Sequence, residues 1–509
     1  MTPSNWPSQH ADADIPGVPA RMDRRLAIQA TVAAVAFPSI LLRPRVALSS
    51  GLSSARAASL ARAVGCPVSE PGVAGFDALR TSWNGCWQSQ PVAIAHPRTA
   101  AEVAAIVRWS RAEGVPLRIR SGGHSFIGDS LCDGVIVDMS ALAATAPGPV
   151  GGTVRVGGGA LLGPVAGALY HRHGGSTCTL GTCDSVGLGG LLLGGGFNGM
   201  SRVHGLTIDA LRAAQVVLAD GRIVTADERT MPDLFWALRG GGASFGAVTE
   251  VTLRTRPWTA THVVTQHWPW QRAAEVLPAW SAFIESLPAD ASSSLVWSTS
   301  GTDRSSSIRT LVRSERGPDH AAKLAAGLER AVGAAPARTA RNSTRPPSDG
   351  DPPRTAGPRS ANSSVFAAQP VTESVARRIA AAMDQRRRSH DDFGGSTCML
   401  ICNAFGGAVA KVPADATAFV HRDARFLAEF AAEWPMERGT AEVDAANRAW
   451  VRGLSDAVRP GLGQGSYLNY ADPGMADWRR AYWGMNLARL EAVKAKFDPG
   501  RMFGGKQVV

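Results

Sequence analysis

The chain has 509 residues, of which 45% are hydrophobic and 19% charged, and its formal net charge is +11 at pH 7. This length exceeds what one hydrophobic core usually supports, and the composition indicates a globular chain with two large domains. Only five basic residues are lysine and the arginines are scattered, so we expect no nucleic-acid partner despite the positive charge. The seven cysteines include no C-x-x-C pair and no metal-finger spacing, and we therefore predict no metal site.

Residues 1–57 have features of an export signal. Arg24-Arg25 precede an apolar stretch from Leu26 to Leu42, which has the length of a signal h-region and is short for a membrane span. Twin arginines before such a stretch favour twin-arginine export, and Ala55-Arg56-Ala57 fits an A-x-A cleavage site. We predict an exported protein; the alternative is a loose N-terminal tail on a cytoplasmic one. No other segment could span a membrane, so we expect no integral membrane association.

Residues 60–257 follow the pattern of one α+β unit. Thr99 is a suitable N-cap for a helix from Ala100 to Glu113, which carries apolar residues at helical spacing. Asp220-Gly221 is a hairpin turn signal between two apolar runs. A second helix is predicted from Leu161 to Tyr170. The remaining predicted strands are short: Pro91–Ala95, Leu117–Arg120, Val135–Asp138, Thr153–Val156 and Ala247–Thr255.

The composition changes near Trp258. Residues 258–455 alternate between apolar runs and helices rich in alanine and arginine, and Arg338–Ser364 is so polar that we expect a mobile loop there. The last segment, 456–509, contains a short β-like run, Ser466–Tyr470, and a predicted helix from Trp478 to Lys496.

Two glycine-rich stretches stand out within residues 60–257. The first runs from Arg118 to Ser125 and the second from Gly181 to Gly190. Glycines allow the backbone to approach a ligand closely, and successive N–H groups can form an anion-binding nest. The G-x-G-x-x-G pattern of a nicotinamide site fails at its last position in the runs that begin at Gly157 and Gly187. We therefore expect turn amides alone to hold any phosphates, with the two stretches as walls of one site.

A set of motifs occurs in a fixed order along the chain. They are Arg120-Ser121-Gly122-Gly123-His124-Ser125, Val137-Asp138-Met139-Ser140, Cys183-x-x-Val186-Gly187-x-Gly189-Gly190, Gly194-Gly195-Gly196-Phe197, Ser201-Arg202-x-x-Gly205-Leu206, the run from Asp233 to Gly242, Phe245-Gly246-x-Val248-Thr249, Gly406-Gly407, Tyr467-Leu468-Asn469-Tyr470 and Lys496-Phe497-Asp498-Pro499. The motifs cover residues 80–509 and are weakest in 335–400; each is modest alone, but together they are specific. In these motifs the chain resembles the berberine bridge enzyme-like flavin oxidases, within the vanillyl-alcohol oxidase and p-cresol methylhydroxylase-type (PCMH-type) fold group.

The resemblance implies an α+β, two-domain flavoprotein. Its FAD-binding domain would comprise residues 60–257 and the returning segment 456–509, and an antiparallel-sheet substrate domain would span 258–455. In this family a histidine and a cysteine bond the flavin, and the matching positions are His124 and Cys183. Cys178 is the competing thiol, although Val186-Gly187 after Cys183 fits the family better. The residues that the resemblance places around FAD are Arg120, Ser121, Gly122, Gly123, His124, Ser125, Cys183, Val186, Gly187, Gly190, Val248, Tyr467 and Asn469.

The family resemblance also implies a catalytic base. Relatives with a tyrosine base carry it at the position of Tyr470, and a plain tyrosine pair at a sheet edge is the alternative. On a strand, Tyr467 and Asn469 would point to one side and Tyr470 to the other. A tyrosine acts as a base only when a nearby positive charge or hydrogen-bond donor lowers its pKa, and the sequence does not name that group.

The implied activity is that of an FAD-dependent oxidase. It would transfer a hydride from an alcohol or amine carbon of a small molecule, a sugar or a secondary metabolite, to bicovalently bound FAD, with molecular oxygen as the acceptor and hydrogen peroxide as product. In this family a valine at the position of Val186 accompanies oxygen access, which favours an oxidase over a dehydrogenase with another electron acceptor. A non-catalytic basic binding protein is the alternative of another class; it would be colourless.

Overall fold

A computed structural model describes residues 50–348, 350, 352 and 357–509. The strands in this part of the chain are β1 (Val68–Ser69), β2 (Ala93–Ala95), β3 (Leu117–Arg120), β4 (Val135–Asp138), β5 (Thr145–Pro147), β6 (Thr153–Gly157), β7 (Ser176–Thr177), β8 (Leu211–Val217), β9 (Ile223–Asp227), β10 (Ala247–Arg254), β11 (Arg256–Pro257), β12 (His262–Trp268), β13 (Ala291–Ser300), β14 (Ser306–Ser314), β15 (Arg338–Ser343), β16 (Arg359–Ala367), β17 (Thr397–Ala404) and β18 (Phe426–Trp434).

The α-helices of the same part are α1 (Ser50–Val64), α2 (Phe76–Leu79), α3 (Ala100–Ala112), α4 (Leu162–Arg172), α5 (Leu188–Leu193), α6 (Ser201–His204), α7 (Thr207–Ala210), α8 (Pro232–Leu238), α9 (Ala273–Phe283), α10 (Pro318–Val332), α11 (Glu373–Arg388), α12 (Ala441–Leu462), α13 (Trp478–Trp483) and α14 (Leu487–Phe497). Within the described ranges, no helix is both long enough and apolar enough to cross a membrane.

The first sheet is small and mixed. Its strand order is β1-β2-β4-β3, with β2 and β3 parallel to β4 and β1 antiparallel to β2. Helix α3 covers it with the buried side chains of Val103, Ile106 and Val107. Thr99 caps the helix as predicted, since its Oγ1 accepts the backbone N–H of Glu102 at 3.2 Å. Strand β3 leads directly into the first glycine turn, and the sheet thereby positions that turn.

The second sheet is antiparallel, in the order β5-β6-β10-β8-β9. The predicted hairpin is confirmed, because β8 and β9 pair around Asp220-Gly221. Side chains from this sheet share one apolar core with C-terminal residues, among them Tyr467, Trp483 and Leu490. The end of the chain therefore packs against the same core as the glycine-rich stretches.

The third sheet has seven antiparallel strands in the order β15-β12-β14-β13-β17-β18-β16. Helices α9, α10, α11 and α12 contribute to a core on one of its faces, built around the fully buried side chains of Trp280, Trp297, Phe430 and Trp434. The other face carries Leu427 and belongs to the core that contains Tyr467, so it is directed toward the second sheet and the C-terminal segment.

The structure corrects three predictions from sequence. The polar region Arg338–Ser364 is not all loop, because strands β15 and β16 form its two ends. The run Ser466–Tyr470 is not a strand, since Leu468–Tyr470 form a 3-10 turn. The helix predicted over Trp478–Lys496 is two helices, α13 and α14, joined by a 3-10 turn at Gly484–Asn486. In each case contacts from distant parts of the chain decide the local backbone.

Only part of the predicted export signal, residues 1–57, lies within the residues that the structure describes. The twin arginines and the apolar stretch lie outside the described residues. Ala55-Arg56-Ala57 lies inside helix α1, where the Ala57 side chain is buried against the core around α3. A cut after Ala57 would remove the first half of this packed helix. Export itself stays a prediction.

Candidate active site

One cavity brings the two glycine-rich stretches together with a third, Gly241–Gly246, and with the C-terminal segment. Its wall includes every predicted site residue except Arg120: Ser121, Gly122, Gly123, His124, Ser125, Cys183, Val186, Gly187, Gly190, Val248, Tyr467, Asn469 and Tyr470. These residues come from positions far apart in the chain, so their convergence on one cavity supports the motif-based prediction of a single site.

The two glycine-rich stretches touch through their backbones. A Cβ at Gly122 would lie 2.2 Å from the backbone N of Gly187, and a Cβ at Gly187 would lie 2.2 Å from the backbone N of Gly122. Gly123 has a φ of +73°, in the left-handed region that favours glycine. Residues with side chains would therefore separate the two stretches and deform the cavity wall.

Arg120 does not point into the cavity. Its Nη1 donates to the carbonyl oxygen of Leu79, and its guanidinium lies against Gly123. The prediction that Arg120 contacts the cofactor is therefore not supported by its position. Because neighbouring side chains on a strand alternate in direction, motif membership alone does not tell which residues face the ligand.

His124 and Cys183 meet through a third side chain. The Oγ of Ser185 lies 3.1 Å from Nε2 of His124 and 3.3 Å from Sγ of Cys183. The imidazole is stacked on the indole of Trp83, with ring centroids 5.1 Å apart and an interplanar angle of 19°. One hydroxyl group, that of Ser185, thus holds the His124 imidazole and the Cys183 thiol at the same place on the cavity wall. Both of these side chains can bond a ligand covalently.

The competing thiol of Cys178 lies elsewhere. It is buried in the apolar core and absent from the cavity wall. Burial raises the pKa of the Cys178 thiol to about 12, which keeps it protonated and unreactive at neutral pH. Of these two cysteines, only Cys183 can reach a ligand in the cavity.

The C-terminal turn places both tyrosines on the cavity wall, contrary to the prediction that they face opposite sides. Their rings meet edge to face with centroids 5.1 Å apart. The Tyr467 hydroxyl oxygen accepts the backbone N–H of Gly196 at 3.0 Å and the side-chain amide of Asn469 at 2.9 Å. Asn469 also donates to the carbonyl of Leu191 at 2.9 Å. Tyr467 and Asn469 therefore hold the turn against the segment from Leu191 to Gly196, which directly follows the second glycine-rich stretch.

Tyr470 interacts with a buried carboxyl group instead of a cation. Glu429 on β18 is fully buried, accepts a hydrogen bond from Nδ2 of Asn362 at 2.6 Å and interacts with the Tyr470 hydroxyl. Burial, together with the nearby Glu433, raises the pKa of Glu429 to about 8. Burial and the charge of Glu429 raise the pKa of Tyr470 well above its usual value near 10. The group that could receive a proton near neutral pH is thus Glu429, with Tyr470 in contact with it.

Several residues of the site were missed in the sequence. Glu429 and Glu433 interrupt the apolar strand Phe426–Trp434 four residues apart, so they share one face. Two acidic residues on one side of an otherwise apolar strand are a usable signal for a functional face. Trp83 and Ser185 carry no such signal, since only the folded chain brings them to His124.

Comparisons with known proteins agree with this geometry. A family model described as FAD binding domain matches residues 91–227, and one described as berberine and berberine like matches residues 466–509. A chitooligosaccharide oxidase from Gibberella zeae is 30% identical over 84% of this chain and 89% of its own length. A xylooligosaccharide oxidase from Thermothelomyces thermophilus is 30% identical over 82% of this chain and 87% of its own.

The fold is also shared with solved structures. A glucooligosaccharide oxidase from Acremonium strictum, described as carrying 6-S-cysteinyl, 8α-N1-histidyl FAD, superimposes with a TM-score of 0.78 at 26% identity, over 88% of this chain and 98% of that one. These findings confirm the predicted family, the α+β fold and FAD as the cofactor. The chain belongs to the berberine bridge enzyme-like FAD-linked oxidoreductases of the vanillyl-alcohol oxidase fold group.

Proposed function

We propose that the protein is an FAD-dependent oxidase that oxidises an alcohol carbon of a small carbohydrate, with molecular oxygen as the electron acceptor. The observation that carries the proposal is the convergence of His124, Cys183 and the Tyr470–Glu429 pair around one cavity. The activities of the two oligosaccharide oxidases described above support the substrate class.

The cavity fits a covalently held flavin. Its wall includes glycines from all three glycine-rich stretches, whose backbone can approach a planar ring and supply N–H groups to phosphates. We infer that His124 and Cys183 are the two attachment points. When the N–H at Nε2 of His124 donates a hydrogen bond to Ser185, the free lone pair of the imidazole lies on Nδ1. The Ser185 hydroxyl is then oriented to donate its own hydrogen bond to a Cys183 thiolate. One serine would then prepare both nucleophiles.

FAD held by His124 and Cys183 would supply the hydride acceptor and the two-electron reduction of oxygen to hydrogen peroxide. The chain's part is to remove the hydroxyl proton of the substrate. We infer that Tyr470 receives this proton as its own passes to Glu429, because the two side chains interact and Glu429 has a pKa close to neutrality. The pair replaces the positive group that a tyrosine base acting alone would need.

The test begins with purified protein. We expect a yellow protein whose colour stays with the polypeptide after acid precipitation, loss of one attachment in each of His124→Ala and Cys183→Ala by peptide mass, and hydrogen peroxide release with a mono- or oligosaccharide. Anaerobic addition of the same sugar should bleach the flavin, and air should restore the colour rapidly. Slow restoration would indicate a dehydrogenase, and a colourless protein would refute the proposal.

A further inference from the structure

The seven-stranded sheet has a half-open face. Along β14, half-buried residues, including Arg309 and Arg313, alternate with fully buried ones. Half-buried Val296 on β13 and Ile401 on β17 continue the same face, which also carries Glu429 on β18. Since residues in the middle of a sheet are half-exposed only where nothing packs fully on them, the part of this face between Arg309 and Ile401 is only partly covered. Glu429, the next residue of the row, is buried and interacts with Tyr470.

Two arginines on this face have no acidic partner in the part of the chain that the structure describes. An Nη of Arg313 donates to Oγ of Ser294 at 2.8 Å, and Nε of Arg309 is buried without a hydrogen-bond partner. Among the residues that the structure describes, neither guanidinium forms an ion pair. Burial lowers the pKa of both, to about 10 for Arg313, so both stay charged at neutral pH. A half-buried charge without a counter-ion is unfavourable, and an anion brought by a ligand would offset it.

The position of Arg309 relates it to the reaction centre. Arg309, Val296, Ile401 and Glu429 are directly opposite one another on β14, β13, β17 and β18. Three strand spacings separate the first from the last, or about 14 Å between Cα atoms. A substrate whose reacting carbon lies near Tyr470 can therefore reach Arg309 only with a part remote from that carbon.

The acidic groups on the same face do not neutralise the arginines. Glu429 and Glu433 lie on β18, three strands away from Arg309, and burial raises their pKa values to about 8 and about 7. Near pH 7 Glu429 is therefore mostly protonated. On the other side of Arg309, the cross-strand row continues through His267 to Arg338.

We propose that Arg309 and Arg313 form an anion-binding subsite, and that the substrate is an acidic carbohydrate whose carboxylate, phosphate or sulfate group lies away from the oxidised carbon. Guanidinium groups bind carboxylate and phosphate oxygens through paired, charge-assisted hydrogen bonds. The inference rests on the proposed function, because it names the substrate class of the same site.

Binding to the holoenzyme tests the subsite separately from catalysis. Under anaerobic conditions, calorimetric titration should show that digalacturonate binds about tenfold or more tightly than its dimethyl ester, the gain expected from charged hydrogen bonds. The affinities for glucose 6-phosphate and for glucose, measured in the same way, test whether the subsite prefers a phosphate group. Preference for either anion over its neutral partner supports the subsite and tells which anion it takes; preference for neither refutes it.

Variants then assign the preference to these residues. In Arg309→Gln the preference for the anion should fall about tenfold, and Arg309→Lys should retain part of it, because the charge stays but the paired geometry is lost. Arg377→Gln removes an equally charged but exposed arginine of α11 and should keep the wild-type preference. An unchanged preference in Arg309→Gln overturns the inference. If anions bind preferentially but no sugar bleaches the flavin, the proposed function fails while the subsite stands.

Discussion

The Tyr470–Glu429 pair makes a prediction about how the oxidation rate depends on pH. Glu429 must be ionised to accept the proton that Tyr470 passes on, and its pKa is raised to about 8. The rate should therefore increase as the pH rises through 8. Replacing Glu429 by Gln keeps the shape of the side chain but removes the proton acceptor, so this increase should disappear.

The size of the effect follows from the pKa of Glu429. With a pKa of about 8, the ionised fraction of Glu429 is ~0.09 at pH 7 and ~0.91 at pH 9, so kcat should rise about tenfold between them. General-base catalysis usually contributes about 10²- to 10⁴-fold, and we expect Glu429→Gln and Tyr470→Phe each to lower kcat within that range. Because the two side chains act as a unit, the double variant should lose little more than either single one.

Stopped-flow bleaching of the flavin at pH 6 to 9.5 measures these rates without interference from oxygen. The flavin content of each variant, read from its visible absorbance, shows whether the site has folded. Glu437→Gln is the control, since this exposed glutamate lies just after the same strand. A rate for Glu429→Gln that still rises through pH 8 would show that another group accepts the proton.

Three further predictions concern cofactor attachment and stability. Ser185→Ala should leave FAD bound but reduce the fraction attached to Cys183, measured by peptide mass as the share of the Cys183 peptide that carries flavin; Ser185→Thr should restore attachment, and full attachment without the hydroxyl would contradict the role. Gly187→Ala should lower the flavin content, because its Cβ would lie 2.2 Å from a backbone nitrogen, whereas Gly453→Ala on α12, with open space, should not. Burial raises the pKa of Glu433 from 4.5 to about 7, so the free energy of unfolding should fall by about 3 kcal/mol as the pH rises through that interval. The Glu433→Gln variant should therefore have a higher melting temperature than the wild type at pH 8, and the difference should be smaller at pH 4.5.

The cofactor side of the site was predictable because its determinants are local. The turn at Gly122-Gly123 and the stretch at Gly187 need glycine for close backbone contact and for a positive φ, and such positions leave a visible pattern. The helix cap at Thr99 and the hairpin at Asp220-Gly221 are equally local. Short-range backbone geometry is thus the part of this structure that the sequence reveals.

The polar region Arg338–Ser364 was mispredicted for a physical reason. Strand β15 is an edge strand with mostly exposed side chains, so only its backbone pairing holds it. On β16 the polar residues are buried and hydrogen-bond to buried serines from other segments, as in the pairs Ser363–Ser455 at 2.9 Å and Ser364–Ser466 at 3.0 Å. Hydrophobic periodicity cannot reveal such strands, because satisfied polar groups replace the apolar contacts.

The substrate side of the site was unpredictable for a related reason. Glu429 reaches the C-terminal turn at Tyr470 from the seven-stranded sheet, and Arg309 lies in the same cross-strand row as Glu429 only because of the register of four strands. None of these contacts leaves a local pattern. The flavin motifs can therefore stay constant in related chains while the open face of the seven-stranded sheet changes residue by residue. If Arg309 and Arg313 bind an anion, the substrate of this enzyme differs from a neutral oligosaccharide through two side chains on one strand, and the chemistry at Tyr470 need not change.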